Sequence, residues 1–344
     1  MLHTGMDMHK KYSVVTVTDD DGNELLTGRR LNNDEQEIIE FLEEFDQEMK
    51  VVLEAGSNWY WMCDLLDEQG VENILCHPLK TKAIASARIK TDKLDSGILS
   101  HLCRMDFVPE SYKPDIKNRH LRELLRHRAA MVKVQTSTKN RIHAILTKLN
   151  IENPFKDLFS KKGIRYLDSL ELAPVYRESI DGYLNLLSTV REEIGRADGR
   201  VSGEIRGSEE ARLIETIPGV GPVLSLTIHA EIGEIDRFHS ARHLSSFAGL
   251  VPSVSQSGAT TKHGHITRQG SAWLRWALVE AAVNTTKYPG YLRTYYLKLK
   301  KRKGKNIARV AVARKLSNYI YYMLKDGTDF NQVISYNKSK SDLG

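Results

Sequence analysis

Four acidic residues carry the chemistry that the sequence suggests. Asp7 lies inside Thr4–Val17 (TGMDMHKKYSVVTV), which otherwise reads as strand, turn and strand. Aspartate is depleted in strands, which favour β-branched and aromatic side chains. A mid-strand aspartate therefore calls for either solvent or a partner. Glu54 lies at the end of the short apolar strand Lys50–Ala55, and Asp92 and Asp95 are three apart at a helix start, which puts them on one face. Each alone has a bland reading. Asp7 could be a surface or turn residue, Glu54 a strand-end residue, and Asp92 and Asp95 favourable first-turn charges. Brought together they would repel one another without cations. Divalent ions acting on phosphodiesters need several oxygen ligands converging within a few ångströms.

The elements that must hold these acids follow in order. Tyr12–Val17 alternates as a second strand, Asp19–Asn23 is a hairpin turn, and Glu24–Leu31 reads as a third strand. Asn33–Glu48 is an acidic amphipathic helix with Ile38, Ile39, Phe41, Leu42 and Phe45 on one face. Ser57 is placed to cap the next helix, Gly70 stops it, and Val71–Cys76 is another strand. Pro78 to Arg88 begins more helix, and residues from Lys90 lead into a helix through Cys103. Three strands followed by alternating helix and strand make a mixed sheet covered by helices. That order matches the ribonuclease-H-like fold.

The rest of the chain is polarised in charge. The net charge is +6, yet Lys113–Lys148 holds ten Lys/Arg against two acids and Lys287–Lys315 eleven against none. These segments carry +8 and +11, so the remainder carries −13. Two concentrated basic segments point to nucleic acid, although solvated helix faces give the same pattern. The first segment reads as a long helix with a broken apolar stripe ringed by Arg119, Arg122, Arg126, Arg128, Lys133, Lys139 and Arg141. It is expected to pack with a helical region at Leu167–Ile194, interrupted near Pro174, and a break is expected at Gly199–Ser208. The domain expectation is an α/β unit at 1–112, a helical, coiled-coil-like linker at 113–208, a helical domain at 209–330 and a tail at 331–344.

In the third segment, Pro218-Gly219-Val220-Gly221-Pro222 joins two predicted helices. It resembles a helix–hairpin–helix, in which Gly219 and Gly221 let backbone N–H groups approach a phosphate; a tight structural turn is the alternative. Residues 249–265 read as a Ser/Thr-rich polar loop between apolar helices, with Lys262, Arg268 and Arg275 positioned to attract a phosphate. A loop serine there could be a nucleophile, a phosphate contact or a helix cap. His9, His263 and His265 could contact phosphates, and no His/Cys spacing suggests zinc. Trp59, Tyr60 and Trp61, and the tyrosines at 319, 321 and 322, read as packing residues.

The 344 residues are 41% hydrophobic and 27% charged, an ordinary globular composition. No run approaches the roughly 18 apolar residues of a membrane span, and the N-terminus has no apolar signal core. Cys63, Cys76 and Cys103 form no CxxC pair and read as reduced thiols of a cytoplasmic protein.

The whole chain resembles the DEDD transposases of the insertion-sequence family numbered one hundred and ten, the bridge-RNA-guided recombinases. The resemblance runs through GMDMHK, LEAGSNWYW, KTDKLDS, IPGVGP, FAGLVPSVSQSG and HITRQGSAWLRWALVEAA, in the family's order. It implies an N-terminal RuvC-like (RNase H-like) domain holding Asp7, Glu54, Asp92 and Asp95 as Mg²⁺ ligands. It also implies a helical transposase domain whose nucleophile is Ser257, followed by Gly258, with Ser253 and Ser255 close enough in the loop to be confused with it. The implied reaction cuts and rejoins donor and target double-stranded DNA through a phosphoserine. The implied partners are a structured bridge RNA and further copies of the chain, as dimers assembling to tetramers whose acids and serine come from different protomers. Arg119, Arg122, Arg126, Arg128, Lys133 and Arg141, with Lys301, Arg302 and Lys303, would grip nucleic acid backbones. The setting would be bacterial or archaeal cytoplasm, beside the nucleoid. Two alternatives are a junction-resolvase-type metal nuclease without a covalent intermediate and a non-catalytic nucleic-acid binder.

Overall fold

The computed structural model describes residues 1–56, 58–85, 91–257 and 260–334, leaving aside the side chains of Ser255, Ser257 and residues 260–263. The chain divides into two compact units, Met1–Lys113 and Pro114–Gly344.

The first unit is built from β1 (Leu2–Met8), β2 (Tyr12–Thr18), β3 (Glu24–Asn32), α1 (Glu35–Glu43), β4 (Met49–Glu54), α2 (Trp59–Glu68), β5 (Glu72–Cys76), α3 (Pro78–Ile84) and α4 (Asp92–Arg104). The sheet order is β3-β2-β1-β4-β5. β1, β2 and β3 pair antiparallel, while β1–β4 and β4–β5 are parallel. This is the mixed sheet of a ribonuclease-H-like fold, with β1 at its centre. The apolar face of α1 supplies Ile38 and Phe41 to a core with Val15, Val51, Leu53 and Met62. Ser57 and Arg88 lie outside the described residues, and the N-cap of α2 is Asn58.

The other face of the sheet is packed differently. α4 lies across β1 with its small residues Ser96, Gly97 and Ser100 buried. Thr16 and Ser96 share a hydrogen bond of 2.9 Å, Thr18 and Ser100 share one of 2.6 Å, and Ser100 donates to the His3 carbonyl at 2.8 Å. A β-carbon added at Gly5 would overlap the Ser96 carbonyl and the Ser100 amide, and would come 2.8 Å from Leu99 Cβ. Gly5 thus sets how closely the helix approaches the strand. Thr91 caps α4 by accepting the Leu94 N–H at 3.2 Å, which fixes where the helix starts.

The second unit contains α5 (Ile116–Lys148), α6 (Lys161–Ser169), α7 (Pro174–Arg206), α8 (Glu209–Glu215), α9 (Pro222–Ile232), α10 (Ala241–Phe247), β6 (Pro252–Ser257), β7 (Thr260–Ile266), α11 (Ala272–Thr285), α12 (Tyr291–Lys303) and α13 (Lys305–Asp326). α5 and α7, each about 50 Å long, lie side by side. Leu121 and Leu125 meet Val201 and Ile205 at one end, and Ile142 and Leu146 meet Ile180 and Leu187 at the other, so the pair is antiparallel. Leu167 of α6 joins the second of these clusters, and α8 to α13 surround a core that includes Ile228, Leu244, Leu278, Leu316 and Ile320. Among the described residues no helix is long and apolar enough to cross a membrane. The three cysteines are buried and unbridged.

Two expectations are corrected here. The break at Gly199–Ser208 is not a break, since α7 runs through Gly199 and Gly203 to Arg206. Packing along α5 outweighs the helix cost of isolated glycines, and the chain turns only at Gly207, with Ser208 capping α8. The polar loop at 249–265 is a two-stranded hairpin, β6 paired antiparallel with β7. Ser253, Val254, Gln256 and His265 are exposed on it, so no apolar alternation was needed to mark its strands.

Gly5→Ala is expected to destabilise the first unit by about 1–3 kcal/mol or more, the usual cost of overpacking. Urea denaturation read by circular dichroism checks this; an unchanged midpoint would show that α4 moves away at no cost.

Candidate active site

The acids converge because two parallel strands end together. β1 and β4 pair as far as Met6 with Leu53, and Asp7 and Glu54 are the next residue on each strand. α4 starts over the same end of the sheet, with Asp92 and Asp95 in its first turn. Burial raises the Asp7 carboxyl above the usual carboxylate range; His9 opposes that, and the charges of Asp92, Asp95 and Glu54 add to it. All four expected acids therefore share one electrostatic neighbourhood.

Their oxygens are not equally close. Among the described residues, donor atoms of Asp7, His9 and Asp92 lie within 4.8 Å of one another. Glu54 and Asp95 do not join that group of three. His9 Nε2 is 3.4 Å from Asp7 Oδ2 and 3.1 Å from Asp92 Oδ2, yet it is aligned for a hydrogen bond with neither. The Tyr12 hydroxyl donates to Asp92 Oδ2 at 3.4 Å. Expected only to contact phosphate, His9 proves to lie among the acids. Its spacing held the signal, because residues two apart in an extended chain point to the same side. Gly5, which brings α4 within reach, gave no signal of its own.

The serine lies on the hairpin. Ser257 is the last residue of β6 and pairs with Thr260, the first residue of β7, at the end of the hairpin ladder. Its side chain and Gly258 lie outside the described residues, as does the side chain of Lys262. The base of the hairpin is pinned tightly. Ser271 donates its amide to the Phe247 carbonyl at 2.8 Å, and a β-carbon at Gly270 would overlap that carbonyl. Arg275 donates to the Ala248 and Arg268 carbonyls at 3.1 and 3.2 Å. Arg268 itself is exposed, with φ of 56°.

A buried carboxylate ties this base to the basic helix. Glu231 on α9 is 5% exposed. It accepts the Ser271 hydroxyl at 2.8 Å and an Arg126 N–H at 3.2 Å, while Ser271 also caps α11 by accepting the Leu274 N–H. Arg122 donates to the Ala230 and Glu231 carbonyls at 2.8 and 3.0 Å. The expectation that Arg119 and Arg122 face nucleic acid is corrected by this packing. Arg119 is 7% exposed, and Arg122 is committed to α9. Arg128 pairs with Asp198 on α7, and Arg141 meets the Tyr183 hydroxyl. Lys133, Lys301, Arg302 and Lys303 are exposed. Gly219, with φ of 83°, packs against Tyr288 and Asn284 in the turn between α8 and α9, and Gly221 is the N-cap of α9.

The sheet order and the acids at the ends of its central strands define a ribonuclease-H-like domain, joined in one chain to a helical unit. Comparison with known proteins carries this further. A transposase model of the DEDD type named for IS110 matches residues 4–151, and the model of the "Transposase IS116/IS110/IS902 family" matches residues 211–297. The chain belongs to the IS110 family of DEDD transposases. It is 26% identical to the "Transposase for insertion sequence element IS1111A" of Coxiella burnetii, over 80% of this chain and 77% of that protein. It is 25% identical to the "Insertion element IS116 uncharacterized 44.8 kDa protein" of Streptomyces clavuligerus, over 94% and 95% of the two chains. A "Pilin gene-inverting protein" of Moraxella bovis is 33% identical over 37% of this chain and 39% of its own length. A DEDD transposase implies the use of divalent metal. The donor set of Asp7, His9 and Asp92 fits one such ion, because all three donor atoms fall inside the span of a single coordination sphere.

The raised Asp7 carboxyl has a definite sign for stability. A carboxyl raised in the folded state contributes stability that is fully present below its ordinary range and lost as pH rises through the raised value. Asp7→Asn is therefore expected to raise the metal-free melting temperature at neutral pH, and to remove any further gain from added divalent ions. Differential scanning calorimetry with and without the ion decides it, and a variant that melts below wild type would contradict the crowding of charge. Glu231→Ala leaves the Arg126 guanidinium and the Ser271 hydroxyl without their shared acceptor, while Arg122 keeps its backbone carbonyls, and is expected to cost about 1–3 kcal/mol. Denaturant titration of the variant measures that loss.

Proposed function

We propose that this transposase cuts and rejoins DNA through a covalent phosphoserine at Ser257. The Ser257 oxygen attacks a DNA phosphorus, the bond from phosphorus to one deoxyribose oxygen breaks, and the leaving oxygen takes a proton. Attack by a hydroxyl of a second DNA end reverses the step, frees Ser257 and rejoins the strand without external energy. The observation that supports this reading is the grouping of Asp7 and Asp92 with His9, with Asp95 and Glu54 near enough to add their charge to Asp7. A divalent cation bound there supplies positive charge for the phosphate oxygens and favours loss of the serine proton. The acids hold that charge, and the pinned hairpin presents the serine. The Moraxella relative is named a pilin gene-inverting protein, and inversion requires rejoining as well as cutting, which favours recombination over hydrolysis.

The proposal extends to a bridge RNA that pairs with donor and target DNA. It also extends to Mg²⁺ as a working ion, a helix–hairpin–helix at Gly219 and Gly221, and dimers assembling to tetramers in which the acids of one copy serve the serine of another. Lys133, Lys301, Arg302 and Lys303 are the exposed cations suited to RNA and DNA backbones. Localisation beside the nucleoid follows from the same reading.

Incubating the protein with the DNA ends of its own element, the element's RNA and a divalent ion is expected to give a protein–DNA adduct that survives denaturation. Ser257→Ala is expected to abolish it, a loss of at least about 10³-fold, as for other removed nucleophiles. Free cut ends without adduct would instead assign a junction-resolvase-type nuclease, and binding without any cutting a non-catalytic binder.

A further inference from the structure

The position of His9 does not follow from the acid cluster alone. The residue sits in the turn after β1, where its amide donates to the Tyr12 carbonyl at 2.9 Å. Its own carbonyl accepts the side-chain amides of Asn33 and Asn58 at 2.7 and 3.1 Å. Its ring stacks on Tyr12, with centroids 4.5 Å apart and planes 30° apart. The Arg30 guanidinium stacks on Tyr12, 3.8 Å from the centre of its ring. Backbone and ring are thus both held, and the column Arg30–Tyr12–His9 ends at Asp7 and Asp92.

The held nitrogen is placed as a ligand would be. In octahedral coordination at about 2.1 Å, adjacent ligand atoms lie about 3.0 Å apart. His9 Nε2 is 3.1 Å from Asp92 Oδ2 and 3.4 Å from Asp7 Oδ2, close to that spacing. An imidazole and two carboxylate oxygens that meant to hydrogen-bond would align; here the nitrogen is buried without an aligned partner. We propose that His9 is a nitrogen ligand of the divalent ion held by Asp7 and Asp92. The proposal rests on reading the acid cluster as a divalent-metal site. Its consequence is selectivity. Magnesium is a hard ion that seeks oxygen and keeps much of its water, whereas first-row transition ions accept imidazole. A site that places a histidine between two aspartates therefore favours Mn²⁺ over Mg²⁺.

The test uses the full chain and Mn²⁺ alone, with no nucleic acid. Pulsed electron paramagnetic resonance of the Mn²⁺-loaded wild type is expected to show modulation from a directly bound nitrogen, which changes to the ¹⁵N pattern when the histidines are ¹⁵N-labelled. In His9→Ala the nitrogen modulation disappears, and the preference for Mn²⁺ over Mg²⁺, measured by competition calorimetry, falls at least about tenfold. Mn²⁺ that binds wild type without nitrogen modulation overturns the role of His9 and leaves the acid site standing. Nitrogen modulation that persists in His9→Ala also overturns it. Failure of wild type to bind Mn²⁺ at all overturns the metal-site reading itself. The wild-type spectrum decides the first question even if the variant folds poorly.

Discussion

The close approach of a helix to a strand, permitted by one missing β-carbon, is the constraint on which the first unit depends. Gly5 lies opposite Ser96 and Ser100, whose hydroxyls bond to Thr16, Thr18 and the His3 carbonyl. A helix with large apolar residues on that face would stand several ångströms further off, as ridge-on-sheet packing requires. The small polar face instead brings the first turn of α4 down to the level where β1 and β4 end. The charges of Asp92, Asp95 and Glu54 then add to the burial that raises the Asp7 carboxyl. The unit tolerates this because the opposite face of the sheet carries an ordinary apolar core, including Phe41, Met62 and Leu66. Stability and charge crowding are thereby kept on opposite sides of one sheet.

The second unit handles charge in a different way. Its long basic helix α5 turns part of its arginine inward, where Glu231 and backbone carbonyls of α9 neutralise and orient it. The same carboxylate accepts the hydroxyl that caps α11, directly behind the hairpin carrying Ser257. A hairpin of two short strands is only marginally stable alone, so its orientation depends on what fixes its base. Here Gly249, Gly270, Ser271 and Arg275 do so through close backbone contacts. The root of the hairpin is thus held by contacts from outside its own two strands.

What the sequence by itself determined was the order of elements in the first unit and where the four expected acids fall along them. Alternating apolar residues in β2, the amphipathic α1 and the aspartate within β1 are local patterns, and local patterns survive without knowledge of the fold. The mixed sheet followed from them because few sheets accommodate three antiparallel strands and then helix-linked parallel ones. Only the tertiary structure decided which cations face solvent, since a helix exposes or buries an arginine according to its neighbour. It alone turned a serine-rich stretch into a hairpin, because β6 and β7 pair through backbone groups that every residue possesses. It alone set His9 between Asp7 and Asp92, through a stack on Tyr12 and Arg30 that joins a turn residue to β2 and β3. It also kept α7 helical through its glycines, because the packing energy of a long antiparallel partner is not written in the residues it rescues.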